Sequence, residues 1–583
     1  IDYILGHLTG VDTTVFASDA ITNPNISCGI LAVALLFLYL LNIDVPLKNK
    51  VTYLFILGFF ILAFFVPQLD YILHAFHVPN DLPYRYSFLY SFVLLTIATY
   101  GLFNIKKLKF PLITISYLFL LSLLVLALQE NWEGITQNMI IINMILLSLY
   151  FLFYACYHFL QKYHTFVYLA FIFVAAVDVI VSTIYNWDIT QVMAIFYEDY
   201  QVTEELLDKV KEQDEELFYR IENTSMLTLN DPSWYNYYGM TTFSSMAYES
   251  MAILQHNLGM PGNEINSYYY VQSTPIYDLM FDIKYFIGIT NDTTRYHEIA
   301  TVEETANRFD ENVGLIYGVK EDLRNWHYTE ANPFHIQNEY MELATGIQNV
   351  LEPSMLLRTE EIYSNDTMVV LKYSYKNPGD NLYFYSDDVN LDFVVIGSSL
   401  YYKNDNYTTV MEENPDIYYD YVEDYGEAKV INIASGEEEI EIYVGFNTYY
   451  SAAFNVYSIN QAAFLEARDT LNKYKFDMTS FKESLIKGNI TLEENMMVYT
   501  SIPYDIGWHI YVDGKEVKTE KLGDALLTFP CEKGTHKITL KYKTSYAGIG
   551  LIISGTTLIL IFILPKYGNK LKIHKKEKKK TQK

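Results

Sequence analysis

Cysteine is nearly absent: three in 583 residues, Cys28, Cys156 and Cys531. An odd, scattered set supports neither a disulfide framework nor a metal-ligand spacing. Tryptophan is also scarce, at five. No Walker loop, GxGxxG turn or Ser-His-Asp arrangement stands out, so nucleotide-dependent and triad chemistry lack a sequence basis. No signal-peptide pattern opens the chain. It begins on Ile1, which reads as a fragment or a processed chain. Positive charge is sparse, with 41 Lys and Arg against 69 Asp and Glu, a net of −28. That balance argues against nucleic acid as a partner.

Long apolar runs are plentiful, although the mean hydropathy is only +0.07. The average hides a membrane-embedded population and a soluble one. Six runs fall near 29–43, 51–72, 87–104, 110–128, 138–158 and 165–186, and a seventh near 547–565. Each approaches the roughly 20 apolar residues that a helix needs to cross the hydrocarbon core. Lysines mark every second connection: Lys48 and Lys50, then Lys106, Lys107 and Lys109, then Lys162, then nine in the tail that carries "KIHKKEKKK". Basic residues are retained on the cytoplasmic side. The expected protein is therefore a multi-pass plasma-membrane protein with a cytoplasmic C-terminus. Residues 1–28 form an outer membrane-proximal segment, 29–186 a six-span region, 187–546 an extracellular domain, 547–565 the last span and 566–583 a basic tail. That tail is expected to touch anionic membrane lipid.

The extracellular stretch carries 25 Lys and Arg against 59 Asp and Glu, a net of −34. Its first part, 187–359, reads as helical or mixed. "VTEELLDKVKEQDEELFYRI" aligns Leu206, Leu207, Val210, Leu217 and Phe218 on one face, with Thr203 as N-cap. "SSMAYESMAILQHNLGMPG" predicts a second helix from Ser244 to Gly259. The part 360–546 reads as a β-sandwich-like module. "MVVLKYSYKN", "NLYFYSD", "LDFVVIGSSLYY", "EEIEIYVGF" and "HKITLKYKT" are β-branched and aromatic. "WHIYVDGKEVKTE" is a hairpin turning at Asp513-Gly514, with Trp508, Ile510 and Val512 on one face. "TPIYDLMFDIKYF" alternates as a buried strand does. The fold class is thus an α-helical polytopic membrane region plus a large α+β domain.

Polar residues at the membrane edge are the candidate site. "HAFHVPNDLPYRYSF" joins two apolar runs and contains Arg85, the only Lys or Arg in the outer connections of the N-terminal region. A guanidinium offers phosphate oxygens a bidentate fork. Snorkelling to lipid headgroups, or pairing with Asp81, is the plainer reading. His74 and His77 share a helix face if the span continues, and suit phosphate or sugar hydroxyls. A metal pair lacks a spaced third ligand. Asp70 is placed to orient His74 or to accept a proton, orientation being the plainer role. Asp178 lies inside the sixth run, either lining a groove or buttressing a cluster with Tyr185 and Asn186. Trp234, Tyr237, Tyr238 and Tyr268 to Tyr270 suit sugar stacking, but large aromatics are more often core.

Several blocks resemble the YfhO family along the whole chain: "NPNISCGILAVAL", "FHVPNDLPYRYSF", "YGMTTFSS", "TPIYDLMFDIKYFIG" and "SIPYDIGWHIYVDGKEVKTEKLGDALLTFPCEKGTHKITLKY" before the last span. The resemblance implies a GT-C-like glycosyltransferase. Its donor would be a sugar on undecaprenyl phosphate, and its acceptor a cell-surface polymer such as lipoteichoic acid. Arg85, His74, His77, Asp70 and Asp178 are then the expected substrate-binding residues. No nucleotide site is required, no cofactor is assigned, and a divalent cation is left open. The family's catalytic base is expected on an acidic outer loop upstream of this stretch, and Asp2, Asp12 and Asp19 do not match it. The alternatives are a non-catalytic, membrane-anchored glycan-binding or assembly scaffold, or an inactive fragment. A flippase is disfavoured by the acidic domain and the lack of an internal repeat.

Overall fold

The computed structural model describes residues 5–581 except 12–23, 79–83, 130–131, 133–134, 186–196, 198–199, 289–291, 293, 329–331, 379–380, 403–406, 414–416, 425–428, 434–436 and 450–452. It divides into two units, Ile1–Val192 and Met193–Lys583.

The first unit is helical: α1 Ile30–Leu41, α2 Leu47–Phe65, α3 Pro67–Leu73, α4 Ser87–Phe103, α5 Phe110–Ala127, α6 Gln137–Phe159 and α7 His164–Tyr185. The expected single span over 51–72 is instead two helices. Pro67 has no N–H and disfavours helical backbone in the residue before it. Val66 is accordingly extended, at φ −109° and ψ 105°. Among the described residues, five helices are long and apolar enough to cross a membrane: Leu47–Phe65, Phe110–Ala127, Gln137–Phe159, His164–Ile184 and Ala547–Leu564. Helices α1 and α4 are apolar but shorter. They pack closely because Gly101 of α4 has no side chain; a Cβ there would sit 2.5 Å from the Leu35 carbonyl oxygen of α1. Small residues at helix contacts are the usual device where lipid replaces water.

The second unit is rich in sheet. A mixed sheet runs Arg220–Asn223, Ile283–Ile287, Thr305–Phe309, Tyr296–Thr301 in spatial order, with only the first pair parallel. Two further sheet pairs each share a hydrophobic core. A six-stranded sheet centred on Met368–Lys376, Glu439–Asn447 and Leu391–Ile396 encloses Leu382, Phe384, Ile442 and Val444 with the sheet containing Leu382–Tyr385 and Asn455–Ile459. A five-stranded sheet containing Trp508–Val512 and Gly534–Tyr542 encloses Val498, Ile510, Phe529 and Leu540 with the sheet containing Met496–Pro503 and Leu526–Cys531. The strand Ile316–Val319, from the earlier segment, pairs with Met496–Pro503 in that last sheet. The strands expected between 360 and 546 form. The Asp513-Gly514 hairpin also forms, with φ 50° and 80° at its turn.

Three local readings change. Helix Tyr200–Gln213 starts before Thr203, which is buried within it and not a cap, and it ends before Leu217. The second helix is Glu249–Asn257, shorter than expected. "TPIYDLMFDIKYF" is not one strand: Pro275–Met280 is a helix capped by Thr274, and Ile283–Ile287 is the strand after it. The Thr-Pro pair is a helix-start signal that outweighs the alternation.

That segment carries two fully buried acids. Asp278 accepts hydrogen bonds from Ser273 Oγ (2.6 Å), Tyr270 OH (3.4 Å) and Tyr296 OH. Asp282 accepts from Asn312 Nδ2 at 2.9 Å. Nearby, Glu222 accepts from Thr241 Oγ1 at 2.7 Å and from the Met240 amide. Arg220 donates to Ser501 Oγ at 2.8 Å and to the Ser501 carbonyl at 3.0 Å, tying the mixed sheet to strand Met496–Pro503. Burial pushes the Glu222, Asp278 and Asp282 carboxyls up to about 7.

Two outcomes follow from this packing. Gly101→Ala should destabilise the helical unit by about 1–3 kcal/mol, through overpacking against fixed backbone; denaturant titration of the purified protein in detergent measures it. For the buried acids, folded values near 7 exceed the ordinary carboxylate range of about 4. The native state thus holds extra protons, and the stabilisation is full below pH ~4 and lost as pH rises through ~7. The urea midpoint of the sheet-rich unit should therefore be higher at pH 5 than at pH 8. Asp278→Asn should flatten that slope, and an unchanged slope would refute the assignment.

Candidate functional site

A short non-helical stretch, His7-Leu8-Thr9, is buried among the apolar helices. Backbone there has no water to satisfy it, so protein groups must. The His7 carbonyl accepts from the Gly29 amide at 2.9 Å, and Ser27 Oγ donates to the Leu8 carbonyl at 2.8 Å. Asn143 of α6 clamps Thr9 from both sides. Its Oδ1 accepts from the Thr9 amide at 3.0 Å, and its Nδ2 donates to the Thr9 carbonyl at 2.9 Å. The side chains of this stretch then reach sideways. His7 Nε2 lies 2.9 Å from the Tyr90 hydroxyl of α4. Thr9 Oγ1 donates to Asp178 Oδ1 of α7 at 2.7 Å, and Tyr150 OH of α6 donates to Asp178 Oδ2 at 2.7 Å.

Asp178 is thus buried with one hydroxyl donor on each oxygen. Its partners are Thr9 and Tyr150. Of the expected partners, Asn186 and the side chain of Tyr185 lie outside the described residues. Thr9, Asn143 and Tyr150 went unnoticed in the sequence. The signal available was Asn143 inside the apolar run "MIIINMILLSLYFLF", where a buried amide needs partners.

Tyr150 also faces a groove of about 550 Å³ between α1, α5, α6 and α7. Ala34, Leu38, Tyr117, Phe151 and Phe171 line it, and Tyr117 stacks on Phe151 with ring centroids 4.3 Å apart. The groove's size is that of an ordinary ligand site, and its lining is mostly apolar and aromatic, with the tyrosine hydroxyls and Ser116 as its polar groups. It extends along the ends of the helices nearest the turns Ile105–Lys107 and Gln161–Tyr163, with Leu102 and Phe103 also on its wall. One residue, Tyr150, therefore belongs both to an apolar surface and to a buried carboxylate.

The hairpin residues form a separate arrangement. Helix α3 stops at Leu73, and Ala75 and Phe76 take left-handed φ of 58° and 65°. The three-residue spacing of His74 and His77 therefore does not place them on one helix face. His77 and Arg85 are exposed, whereas the His74 side chain is 6% exposed. His74 Nδ1 lies 3.0 Å from the Asp70 carbonyl and 3.4 Å from Asp70 Oδ1. The Arg85 amide donates to His74 Nε2 at 3.3 Å, which fixes Nε2 as the acceptor. The imidazole thus carries its proton on Nδ1 and holds the backbone of Arg85. Tyr86 OH donates to Asp70 Oδ1 at 3.0 Å and stacks on Phe64 at 5.5 Å. Phe64 in turn meets Tyr90 edge-on at 5.9 Å, which leads back to His7. Asp70 and His74 brace the loop that presents Arg85. Asp81, the possible partner of Arg85, lies outside the described residues, as do Asp2, Asp12 and Asp19.

Among the described residues, no three His, Cys, Asp or Glu side chains are grouped to hold a metal ion. In the second unit, Tyr268 and Tyr270 are core, while Trp234 and Tyr238 are exposed.

The sequence matches the model of a family described as bacterial membrane protein YfhO over residues 7–554. A relative from Bacillus subtilis (strain 168), named uncharacterized protein YfhO, is 22% identical over 596 residues, covering 94% of this chain. The chain spans 66% of that relative's length. No solved structure matches. The family match runs from His7, in the buried stretch beside Asp178, into the last apolar helix, and the chain belongs to the YfhO family of bacterial membrane proteins.

Proposed function

We propose that this protein is a membrane glycosyltransferase that moves a sugar from a polyprenyl-phosphate carrier to a cell-envelope polymer outside the cell, such as lipoteichoic acid. The groove that ends on the Tyr150–Asp178 pair carries the proposal. An aromatic-lined apolar slot suits an isoprenoid chain and offers nothing to a nucleotide. In this reading seven helices cross the membrane, the acidic domain is extracellular and the basic tail is cytoplasmic. The lysine pattern of the connections supports that orientation.

Arg85 then meets the carrier phosphate. Its backbone is held by His74, its side chain is exposed, and it is the lone cation of the outer connections in its region. As the glycosyl bond breaks, negative charge develops on the departing phosphate, and a guanidinium opposite it lowers the barrier. Leu102 and Phe103, on the groove wall, follow Arg85 by a full helix, about 25 Å. A long isoprenoid bridges that distance with its phosphate at one end and its tail at the other. The acceptor hydroxyl must lose a proton to a base. Asp178 is not assigned that task, because both of its oxygens already accept hydroxyl donors.

Two measurements on the full-length protein test the reading. Arg85→Ala should lower sugar transfer by about 10²-fold, the cost of removing one charge-stabilising donor. Intact surface-polymer glycosylation in that variant would sink the phosphate clamp. Ala34→Trp should fill the groove and raise KM for the polyprenyl donor while leaving kcat nearly unchanged. Polymer binding without any consumption of polyprenyl-linked sugar would favour the non-catalytic scaffold instead.

A further inference from the structure

The sheet-rich unit carries an apolar rim where its last strand turns into a membrane-type helix. Strand Gly534–Tyr542 ends four residues before the helix Ala547–Thr581. Residues 547–564 of that helix are apolar and exposed along their whole length. Whatever its tilt, the bilayer surface must lie within those few residues of Tyr542. Tyr546, at the junction, is 72% exposed.

Two loops are tied to this junction. The Lys543 amide donates to the Gly507 carbonyl at 2.8 Å, which fixes the loop containing Ile506 beside the chain leaving the strand. Tyr248 OH donates to Asp505 Oδ2 at 2.9 Å, which brings in the segment 243–248. That segment is itself anchored, since Phe243 pairs with Ser267 and the Ser244 amide donates to the Asn266 carbonyl at 3.1 Å. Together they present Phe243, Met246, Tyr248, Ile506 and Tyr546, all exposed, with Met246 at 87%. Exposed Lys543 lies among them. A contiguous apolar surface of this kind marks an interaction site. Aromatic residues flanked by lysine are the composition of a membrane–water interface, where rings lie at headgroup depth and lysine stems snorkel.

We propose that this rim is a membrane-seating surface: the loops 243–248 and 505–507 insert into the headgroup layer beside the last helix and fix how the sheet-rich unit stands on the bilayer. The occupant is lipid, because the helix that starts at Ala547 brings the rim to the bilayer. The inference needs only that this helix crosses the membrane and does not rest on the proposed transferase activity.

The test uses the full chain, reconstituted singly in nanodiscs of phosphatidylethanolamine and phosphatidylglycerol. Met246→Cys and Val389→Cys are labelled with an environment-sensitive fluorophore, and signal from the parent chain, which keeps Cys28, Cys156 and Cys531, is subtracted. Both positions are exposed, at 87% and 86%, so neither label displaces packed atoms. Lipids spin-labelled near the headgroup should quench the Met246 label several-fold more than the Val389 label. As a second readout without any substitution, amide hydrogen exchange at 243–248 and 505–507 should be slower in nanodiscs than in amphipol. Equal quenching at the two labels, with unchanged exchange at the two loops, would overturn the proposal. Protection of the loops without lipid quenching would assign the rim to a protein partner and would overturn it equally.

Discussion

The helical unit depends on one requirement: a stretch of non-helical backbone lies among apolar helices, and every polar group it exposes must be met by protein. His7, Leu8 and Thr9 satisfy this through Gly29, Ser27 and Asn143. An unmet buried amide or carbonyl costs about 1–3 kcal/mol. The side chains of the same stretch close the remaining gaps, His7 on Tyr90 and Thr9 on Asp178. Helices α1, α4, α6 and α7 are thereby pinned to one short segment. Packing between apolar helices in lipid is weakly directional, so these hydrogen bonds decide which faces meet.

Tyr150 links that polar core to the groove. Its ring is part of the apolar wall and its hydroxyl is one of two donors to Asp178. A ligand that moved the ring would also disturb the carboxylate, and the cost would spread through Thr9 to Asn143. The hairpin works differently. There, Asp70, His74 and Tyr86 brace the loop that carries the exposed Arg85. Under the proposed transferase reading, that support keeps a donor in place, which then needs no reorganisation when charge develops.

The sequence shows elements more readily than partners. Apolar runs, strands of alternating pattern and the Asp513-Gly514 turn are local signals; the runs form apolar helices, five of them among the described residues long enough to cross lipid, and the turn forms where its residues place it. The break at Val66 is also local, yet it was hidden inside a run that hydropathy alone reads as continuous. Alternation misread "TPIYDLMFDIKYF", because a helix of six residues is too short to display its own period. The site was harder still. Thr9 and Asp178 are 169 residues apart, and Asn143 is 134 from Thr9. Nothing local in the opening segment marks it as buried, since its polar residues look like those of any outer loop. Asp178 could be singled out only because a carboxylate within an apolar run is costly. Its partners follow from the fold.

Charge then constrains how the sheet-rich unit meets a bilayer. With a net of −34 over 187–546, most of its surface is repelled by anionic headgroups. That repulsion is screened beyond about 8 Å at physiological salt. Apolar insertion acts only at contact. Under the proposed seating, the two together favour the rim of Phe243, Met246, Ile506 and Tyr546 in the interface beside the helix, with the rest of the acidic unit held off. Lys543 adds attraction at the point of contact, where screening is least. A neutral domain on the same tether could lie down on the membrane in many ways. The acidic excess, which in the bare sequence only excluded nucleic acid, therefore also narrows the orientations open to this unit.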